Sequence, residues 1–413
     1  MEKIILINLV IAIIFCICYS YQFLYVIVSL MKKDKPHQET KAHRFAVLIA
    51  ARNEETVINH LIDSINTQTY DQGEVTVFVV ADNCTDQTAA CARKMGAIVY
   101  ERFDQTKIGK GHAMEFLLNQ MEKDYAPFDG YFVFDADNVL DQNYILEMNK
   151  TFSDGYDIIT SYRNSKNYGD NWISSGYAIW FLWESEFLNR GRMLLGTSCA
   201  VSGTGFFFSR RIIEKYGGWK FFLLTEDIQF TVDNVLSGEK IGYCRQAMLY
   251  DEQPVKFQQS FRQRMRWAKG FFQVFHRYGL DLFKGSLQRN TSCYDMLMVI
   301  MPAIILTLFT LIFNGSMILF GDYTTSQDDL IMMMMGRMIL NMYLMLVFIA
   351  TVTTATQWKN IHTTSFKKVA YIFTFPFFMF TYIPITIVAF FKKVEWQPIE
   401  HSRAKTLAEI KEG

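Results

Sequence analysis

The sequence predicts an α/β domain with a mostly parallel sheet, set between hydrophobic segments long enough to cross a bilayer. Within residues 44–255, short apolar runs recur and alternate with segments of helical periodicity. Strands that are apolar on both faces are typical of parallel sheets covered by helices. Outside these limits long apolar stretches dominate, and half of the 413 residues are hydrophobic. The chain therefore has room for one such domain and several membrane segments.

Residues 1–33 are predicted to form an N-terminal transmembrane helix. The stretch from Ile4 to Met31 is apolar, and Lys32 and Lys33 follow it. A signal peptide would carry its charge before the apolar run and a small-residue cleavage site after it. About 20 apolar residues cross a bilayer, and lysines favour its cytoplasmic side. We therefore expect a multi-pass protein of the cell membrane whose next domain is cytoplasmic.

Four short apolar runs inside residues 44–255 predict strands. They are Phe45–Ala50, Val75–Val80, Ala97–Tyr100 and Tyr131–Phe134. Helices are expected from Arg52 onward and from Thr88 to Met95, since apolar residues recur there at helical spacing. Ligands of such sheets bind beyond the carboxyl ends of the strands. Asp82 and Asp135 follow two of these runs, which predicts a site at that edge.

The second half of the chain returns to apolar and amphipathic segments. Residues 256–290 place arginines beside aromatic residues at helical spacing, which predicts a helix lying in the membrane interface. Trp172, Trp180 and Trp183 predict a second such stretch. A transmembrane region is expected over residues 292–392. Its three apolar segments are Tyr294–Phe320, Ile331–Ala355 and Val369–Phe391.

The lysines around the last apolar segment place both of its ends in the cytoplasm. Lys367 and Lys368 precede it, and Lys392 and Lys393 follow it. A single crossing would contradict one of these assignments, so we expect its two prolines to break it into a re-entrant or hairpin element. Residues 393–413 are then a cytoplasmic tail.

The composition argues against a nucleic-acid partner and against disulfide bonds. The formal net charge is zero, which offers no basic surface for nucleic acid, so no nucleic-acid partner is expected. The seven cysteines lack paired spacing and are expected to be reduced thiols.

Asp135 and Asp137 form an Asp-x-Asp pair directly after a predicted buried strand. This spacing can direct two carboxylates at Mg²⁺ or Mn²⁺ while a nucleotide diphosphate supplies further oxygen ligands. The alternative is a solvated strand end. Asp82 is a candidate acceptor of hydrogen bonds from a uracil or ribose. A cap of the next helix is the alternative, and the two roles are compatible.

Two further positions are candidates for substrate binding. The segment around Lys110 lacks the spacing of a P-loop, although this lysine remains a candidate contact for a diphosphate, with a solvated loop lysine as the alternative. Gly203 would allow the backbone to approach a sugar closely, or would simply form a turn before a strand.

Thr225, Glu226 and Asp227 place two acids in an apolar context, and Asp227 is the candidate general base for an acceptor hydroxyl. Acids at a helix N-terminus, stabilised by the helix dipole, are the alternative. Farther on, Arg266 suits a departing diphosphate and Trp267 suits stacking on an acceptor sugar.

Four motifs follow one another along the chain: Asp82, Asp135-Ala-Asp137, Thr225-Glu226-Asp227 and Gln263-Arg-Met-Arg266-Trp267. In this order they resemble the motifs of the processive family 2 membrane glycosyltransferases, which include cellulose, mixed-linkage β-glucan, hyaluronan, chitin and poly-N-acetylglucosamine synthases. The resemblance covers roughly residues 44–275 and the layout of the flanking helices. It implies that residues 44–255 form a GT-A catalytic domain that inverts the sugar in a single displacement.

The resemblance also implies roles for the residues that bind a UDP-sugar donor. Asp82 would bind the uridine, and Asp135 and Asp137 would organise the diphosphate and a Mg²⁺ or Mn²⁺ ion. Gln263 and Arg266 would contact the diphosphate.

On the acceptor side, the resemblance implies that Asp227 takes the proton and that Trp267 holds the end of a growing polysaccharide, which leaves through a channel in the lipid bilayer. The segment from Glu395 to Arg403 resembles C-terminal segments that some relatives fold toward the active site, so the tail is a candidate gating segment. An interfacial tryptophan anchor is the alternative.

The leading hypothesis is a processive synthase that makes a glucan with β-1,4 linkages, β-1,3 linkages or both from UDP-glucose and exports it. The alternatives are a synthase that uses UDP-N-acetylglucosamine and a non-processive lipid glucosyltransferase. A transporter or receptor that only binds nucleotide is a third class. It is not favoured, because Arg337 is the only charge deep inside the apolar segments.

Overall fold

A computed structural model of the protein describes residues 2–34, 36–71, 73–301, 307, 309–310, 312–317, 325–399 and 401–412. The described strands form one sheet. They are β1 Phe45–Ala51, β2 Val75–Asp82, β3 Ile98–Arg102, β4 Gly130–Asp135, β5 Val139–Leu140, β6 Ile158–Ser165, β7 Phe206–Ser209 and β8 Ile241–Asp251. Their spatial order is β3-β2-β1-β4-β7-β6-β8-β5.

The four predicted strands are present as β1 to β4 and are mutually parallel. The antiparallel pairs involve β7, which lies between β4 and β6, and β5, which pairs with β8. The prediction of a mostly parallel sheet is therefore confirmed. Neighbouring residues of β1 face opposite apolar layers: Leu48 packs in one and Val47 in the other, and both are fully buried.

The described helices cover both faces of the sheet and extend beyond it. They are α1 Glu2–Tyr19, α2 Tyr21–Met31, α3 Ile58–Asn66, α4 Thr88–Lys94, α5 Lys110–Asp124, α6 Tyr144–Ser153, α7 Trp172–Trp183, α8 Arg190–Leu195, α9 Arg210–Tyr216, α10 Glu226–Leu236, α11 Phe257–Leu287, α12 Thr291–Ile300, α13 Thr325–Thr356, α14 Ser365–Phe380, α15 Tyr382–Phe391 and α16 Leu407–Glu412. A π-helical stretch, Glu184–Asn189, joins α7 to α8.

The helix expected to open at Arg52 begins only at Ile58. Asn53 has a positive φ of 58°, and the amide of Glu54 donates to the Thr88 hydroxyl at 2.8 Å instead of entering a helix. The segment after β1 is therefore a loop at the carboxyl edge of the sheet. The sequence predicts helix for this loop because the apolar periodicity of α3 begins only a few residues later.

Three of the described helical segments are long and apolar enough to cross a membrane: Ile5–Met31, Ile331–Thr356 and Ser365–Phe391. The predicted segment Tyr294–Phe320 lies partly outside the described residues. Its first part belongs to α12, a short apolar helix.

The last span is broken at Thr381, between α14 and α15. Pro376 is accommodated inside α14. Pro384 follows the break, and its ring would clash with the carbonyl of Phe380 in a continuous helix. Thr381 keeps helical angles, with φ −65° and ψ −17°, so the chain does not reverse there. The expected break is present, whereas the hairpin alternative is wrong at this point.

Helix α7 corrects the second predicted interface stretch. Ten of its twelve residues are buried, and the helix packs against β6, α13 and α14. Most of its surface is therefore covered by protein. By contrast, α11 exposes Leu280, Phe283 and Leu287, which recur at helical spacing, as expected of an amphipathic helix.

A buried ion pair attaches the N-terminal span to the domain. Arg192 of α8 donates to both oxygens of Asp295 in α12, at 2.7 and 2.9 Å, and each side chain is 1% exposed. The hydroxyls of Tyr21 and Tyr25 in α2 donate to the same carboxylate at 2.8 and 2.9 Å. Because Asp295 is paired and hydrogen-bonded, its charge is tolerated away from water.

Candidate active site

All eleven residues proposed from the sequence line one cleft, although they come from six separate parts of the chain. The cleft has a volume of about 160 Å³ and lies beyond the carboxyl ends of β1, β2 and β4. The proposed residues in its wall are Asp82, Lys110, Asp135, Asp137, Gly203, Thr225, Glu226, Asp227, Gln263, Arg266 and Trp267. Parallel strands point their carboxyl ends to the same edge, which brings these distant motifs together.

Asp82 ends β2 and pairs with Arg102, the last residue of β3, at 2.5 Å. The two side chains are 7% and 6% exposed. Burial raises the pKa of Asp82, while the guanidinium of Arg102 opposes that effect. A helix-cap role for Asp82 is not observed: the amide of Thr88, the first residue of α4, donates to Asp86 at 3.0 Å.

Asp135 ends β4 and meets the ammonium of Lys110, the first residue of α5. The Lys110 nitrogen lies 2.5 Å from one carboxylate oxygen and 2.8 Å from the carbonyl of Gly203. Burial acts to lower the pKa of Lys110, but Asp135 and Glu226 reverse this and raise it. Lys110 is therefore a fixed cation inside the cleft, and the solvated-lysine alternative is excluded.

Asp137 is 4% exposed, and its carboxylate accepts the amide of Glu252 at 2.7 Å. The Asp135 side chain is 39% exposed. Mg²⁺ is commonly held by one or two carboxylates together with substrate phosphates. No group of three or more acidic, histidine or cysteine side chains forms a metal site within the described ranges. The pair therefore fits an ion that completes its coordination with a diphosphate.

Glu226 and Asp227 form the first turn of α10, behind Thr225. Burial raises the pKa of both carboxyl groups, and the neighbouring Asp227 contributes to raising that of Glu226. The amide of Ile228 opposes the shift at Asp227. Gly203 has a φ of 75°, and a Cβ there would lie 3.9 Å from the Asp227 carboxylate. This backbone conformation favours glycine, which leaves space above Asp227.

Helix α11 supplies the opposite wall. Arg266 donates to the carbonyl of Leu224 at 3.1 Å. The Trp267 ring lies edge-on to Tyr177, with centroids 5.7 Å apart. A Cβ at Gly270 would meet Thr225 at 2.5 Å, so this glycine permits close packing of α11 against the acidic motif.

Two polar atoms in the cleft wall are buried without a hydrogen-bond partner among the described residues: the Thr225 hydroxyl and the Gln263 side-chain oxygen. Buried polar groups usually have partners, so these two positions are polar atoms that the described structure leaves unsatisfied.

An ion pair on the floor of the cleft was not predicted from the sequence. Arg163 of β6 binds Asp251, the last residue of β8, at 2.7 Å. The Arg163 guanidinium also lies 3.6 Å from the Phe181 ring centroid. The only signal in the sequence was the position of Asp251 at the end of a strand, as for Asp82 and Asp135.

The C-terminal tail crosses the mouth of the cleft. Trp396, Gln397, Pro398, Ile399 and His401 belong to its wall. The Trp396 ring lies 5.3 Å from the Arg52 guanidinium carbon. His401 contacts Glu54 at 3.0 Å. Burial favours the neutral imidazole, but Asp137 and Glu54 raise the pKa of His401 to about 10.

The end of the tail is anchored on the domain beyond the cleft. The amides of Ser402 and Arg403 donate to the carboxylate of Glu252 at 3.1 and 2.8 Å. Ile410 is buried against Val139. The tail is thus fixed on both sides of the cleft, by α15 and by α16.

Comparison with solved structures supports the GT-A fold. A mannosyltransferase from Pyrobaculum calidifontis, solved with GDP-Man and Mn²⁺, superposes with a TM-score of 0.60 at 14% identity. The match covers 92% of this chain and 98% of that one. At this identity the similarity establishes the fold alone: a GT-A domain with a mostly parallel, curled sheet.

Curated relatives are similar over the domain and part of the flanking segments. A beta-monoglucosyldiacylglycerol synthase from Nostoc sp. is 26% identical over 273 residues, covering 63% of this chain and 56% of the relative. A poly-beta-1,6-N-acetyl-D-glucosamine synthase from Staphylococcus aureus is 22% identical over 273 residues, covering 65% and 63%. The chain thus spans about three-fifths of the length of these relatives.

A family model described as "Glycosyltransferase like family 2" matches residues 43–270, which is more than half of the chain. This range contains every residue of the cleft proposed from the sequence. The chain belongs to the family 2 glycosyltransferases.

Proposed function

We propose that this glycosyltransferase transfers a sugar from a cytoplasmic UDP-sugar to an acceptor held at the membrane, with inversion at the anomeric carbon. The observation that carries the proposal is the position of Asp227. Its carboxylate shares one cleft with the Asp135–Asp137 pair and with Trp267. Through Tyr177, the Trp267 side of the cleft adjoins Phe378 of the last membrane span, with rings 4.9 Å apart.

The donor half of the cleft would lie along β2 and β4. Asp82, held in place by Arg102, would accept hydrogen bonds from the uridine. Asp135 and Asp137 would hold Mg²⁺ or Mn²⁺, which offsets negative charge on the departing diphosphate. Lys110, Gln263 and Arg266 would bind the diphosphate oxygens directly, since all three line the cleft and carry side-chain N–H donors.

The acceptor half would lie between Asp227 and Trp267. Asp227 would take the proton of the acceptor hydroxyl as its oxygen bonds to the anomeric carbon. The bond from that carbon to the diphosphate breaks on the opposite face, and UDP leaves. A buried aspartate with a raised pKa is a stronger base than a solvated one, which suits this step.

The tail would act as a gate over the donor. Entry of a nucleotide-sugar requires Trp396 and His401 to move, because they close the mouth of the cleft and its volume of about 160 Å³ is below the 300–1,000 Å³ typical of ligand pockets. The contacts of His401 and Arg403 with Glu54, Glu252 and Asp170 are polar, so they can open without exposing a large apolar surface.

For the product, we propose a β-linked glucan made processively from UDP-glucose and passed outward between the membrane helices, with the domain and tail in the cytoplasm. The resemblance of the motifs to polysaccharide synthases supports it. A glycolipid is the second candidate, supported by the similarity to the beta-monoglucosyldiacylglycerol synthase. A polymer of N-acetylglucosamine is the third, supported by the Staphylococcus relative.

Purified protein in proteoliposomes, supplied with Mn²⁺ and labelled UDP-glucose or UDP-N-acetylglucosamine in separate reactions, would test this assignment. High-molecular-weight product from UDP-glucose that linkage-specific β-glucanases digest is the expected result. A small, organic-soluble product would replace the polymer with a glycolipid. No transfer from either donor, with UDP binding intact, would contradict the proposed reaction.

A further inference from the structure

Helix α11 binds the ends of both halves of the broken membrane span through two cations. Arg264 donates to the carbonyl of Phe378 at 3.1 Å and to the Thr381 hydroxyl at 2.7 Å. Lys269 donates to the carbonyl of Ala389 at 3.1 Å. Phe378 and Ala389 lie in the last turns of α14 and α15. The Phe378 carbonyl also accepts from the amide and the hydroxyl of Thr381, at 3.2 and 2.6 Å, and cations are favoured beside carbonyls at the C-terminal end of a helix.

Arg264 differs from Lys269 in its surroundings. It is fully buried. Its guanidinium carbon lies 4.3 Å from the Phe378 ring centroid, 4.8 Å from that of Tyr382 and 5.7 Å from that of Tyr177. Its Nε and second terminal nitrogen have no partner among the described residues. The aromatic rings offset part of the desolvation cost of the cation, but a methionine would fill the same space without that cost.

One of the aromatic rings around Arg264, that of Tyr177, also contacts a residue of the active-site cleft. Tyr177 contacts Phe378 on one side, at 4.9 Å, and Trp267 on the other, at 5.7 Å. Helices α7 and α14 pack closely here, because a Cβ at Gly176 would lie 2.3 Å from the Phe378 ring. Close-packed side chains transmit small displacements. A shift of α14 at its break would therefore move Tyr177 and, with it, Trp267.

We propose that Arg264 is a positioning residue for the acceptor: by capping α14 at the break and packing its guanidinium against the rings of Phe378, Tyr382 and Tyr177, it fixes Tyr177 and Trp267 on the acceptor side of the cleft. The proposal rests on the proposed function, because it takes Trp267 as the acceptor platform. Arg264 itself does not line the cleft, and neither does Lys269. Lys269 caps α15 by the same kind of bond but has no contact with Tyr177 in the described structure, so it provides a matched control.

The test compares Arg264→Met and Lys269→Met in the full-length protein in proteoliposomes. UDP affinity, acceptor KM and the ratio of sugar transfer to UDP-sugar hydrolysis are measured for each. Displacements of about 1 Å at a reacting centre cost up to about a hundredfold. For Arg264→Met we expect acceptor KM to rise, or the transfer ratio to fall, by about tenfold or more. Its UDP affinity should match that of the wild type, and Lys269→Met should match the wild type in all three measurements.

Equal effects of both variants on transfer would overturn the proposal, as would a parallel loss of UDP affinity in Arg264→Met, because either outcome indicates a general structural role. If Arg264→Met does not fold, the acceptor KM of Arg264→Lys provides the test of the proposal. Lysine retains a donor for the Phe378 carbonyl and loses the planar contacts with the rings, so a higher acceptor KM with unchanged UDP affinity supports positioning. A wild-type acceptor KM refutes it.

A failure of the proposed function is distinguishable from a failure of this inference. If the wild type binds UDP but transfers no sugar, the environment of Trp267 provides the readout. Its emission is obtained as the difference between each protein and the same protein carrying Trp267→Phe. That difference should shift in Arg264→Met and stay unchanged in Lys269→Met. An unchanged spectrum in both would reject the inference by itself.

Discussion

Replacing Asp227 with asparagine removes the proposed base with little change of shape. The side chain sits in the first turn of α10, where amides of Ile228 and Gly203 face its carboxylate. Asparagine retains a carbonyl oxygen that can accept these bonds, and it places no charge in the buried site. We therefore expect Asp227→Asn to fold with a Tm close to that of the wild type.

The expected loss of activity follows from the proton that asparagine cannot accept. General base catalysis contributes about 10²- to 10⁴-fold, or about 3–5 kcal/mol of activation free energy. Asp227 is buried and lies near the cations Lys110 and Arg266. Because the substitution removes the negative charge of Asp227, the site that binds the UDP diphosphate becomes more positive. We expect kcat to fall by about a thousandfold, while UDP affinity stays the same or improves.

The assay is the initial rate of labelled sugar transfer at saturating UDP-sugar, with UDP binding measured by calorimetry. Asp233→Asn is the control, because Asp233 lies on the same helix and bonds the Tyr216 hydroxyl outside the cleft. It should retain transfer activity. The assignment of the base is refuted if Asp227→Asn keeps more than about a tenth of the wild-type kcat, a loss too small for a missing general base.

Four further outcomes are expected. Arg102→Met should destabilise the protein by about 3–5 kcal/mol, because it leaves Asp82 buried without its cation; thermal unfolding measures this, and an unchanged Tm would contradict it. Because burial raises the pKa of Asp227 and the base acts when deprotonated, transfer should decline as pH falls through that raised value, and the acid limb of the kcat profile should lie above about pH 4. Chelation with EDTA should abolish transfer, and Mn²⁺ or Mg²⁺ should restore it; full activity in the chelator would exclude a metal at Asp135 and Asp137. Trp396→Ala should lower the donor KM by up to about fivefold, because it removes a cation–π contact of about 1 kcal/mol with Arg52 that holds the empty cleft closed; an unchanged KM would separate the tail from donor entry.

The sequence was most informative where the chemistry depends on local pattern. Asp82 and Asp135 could be placed because an apolar run predicts a strand, and parallel strands end at a common edge. The motifs on α10 and α11 were located by residue type and order. All of these residues line the same cleft, because the topology of the sheet is common to the family.

What the sequence did not reveal depends on register and on distant contacts. Arg102 pairs with Asp82 because the two residues face each other across β2 and β3, and no single sequence specifies that register. His401 contacts Glu54 across 347 positions of the chain. A break was expected from two prolines, but the sequence alone does not show that Pro376 is accommodated inside α14 while the break lies at Thr381.

The buried pair of Arg192 and Asp295 has a consequence for biosynthesis. The partners are 103 residues apart, and translation proceeds at about 5–20 residues per second, so Arg192 is made roughly 5–20 s before its partner. During that interval the tyrosines of α2 have already been synthesised, but the carboxylate that they bind does not yet exist. The nascent domain therefore holds an unpaired arginine, and that is the stage at which a chaperone would have most effect on the yield of folded enzyme.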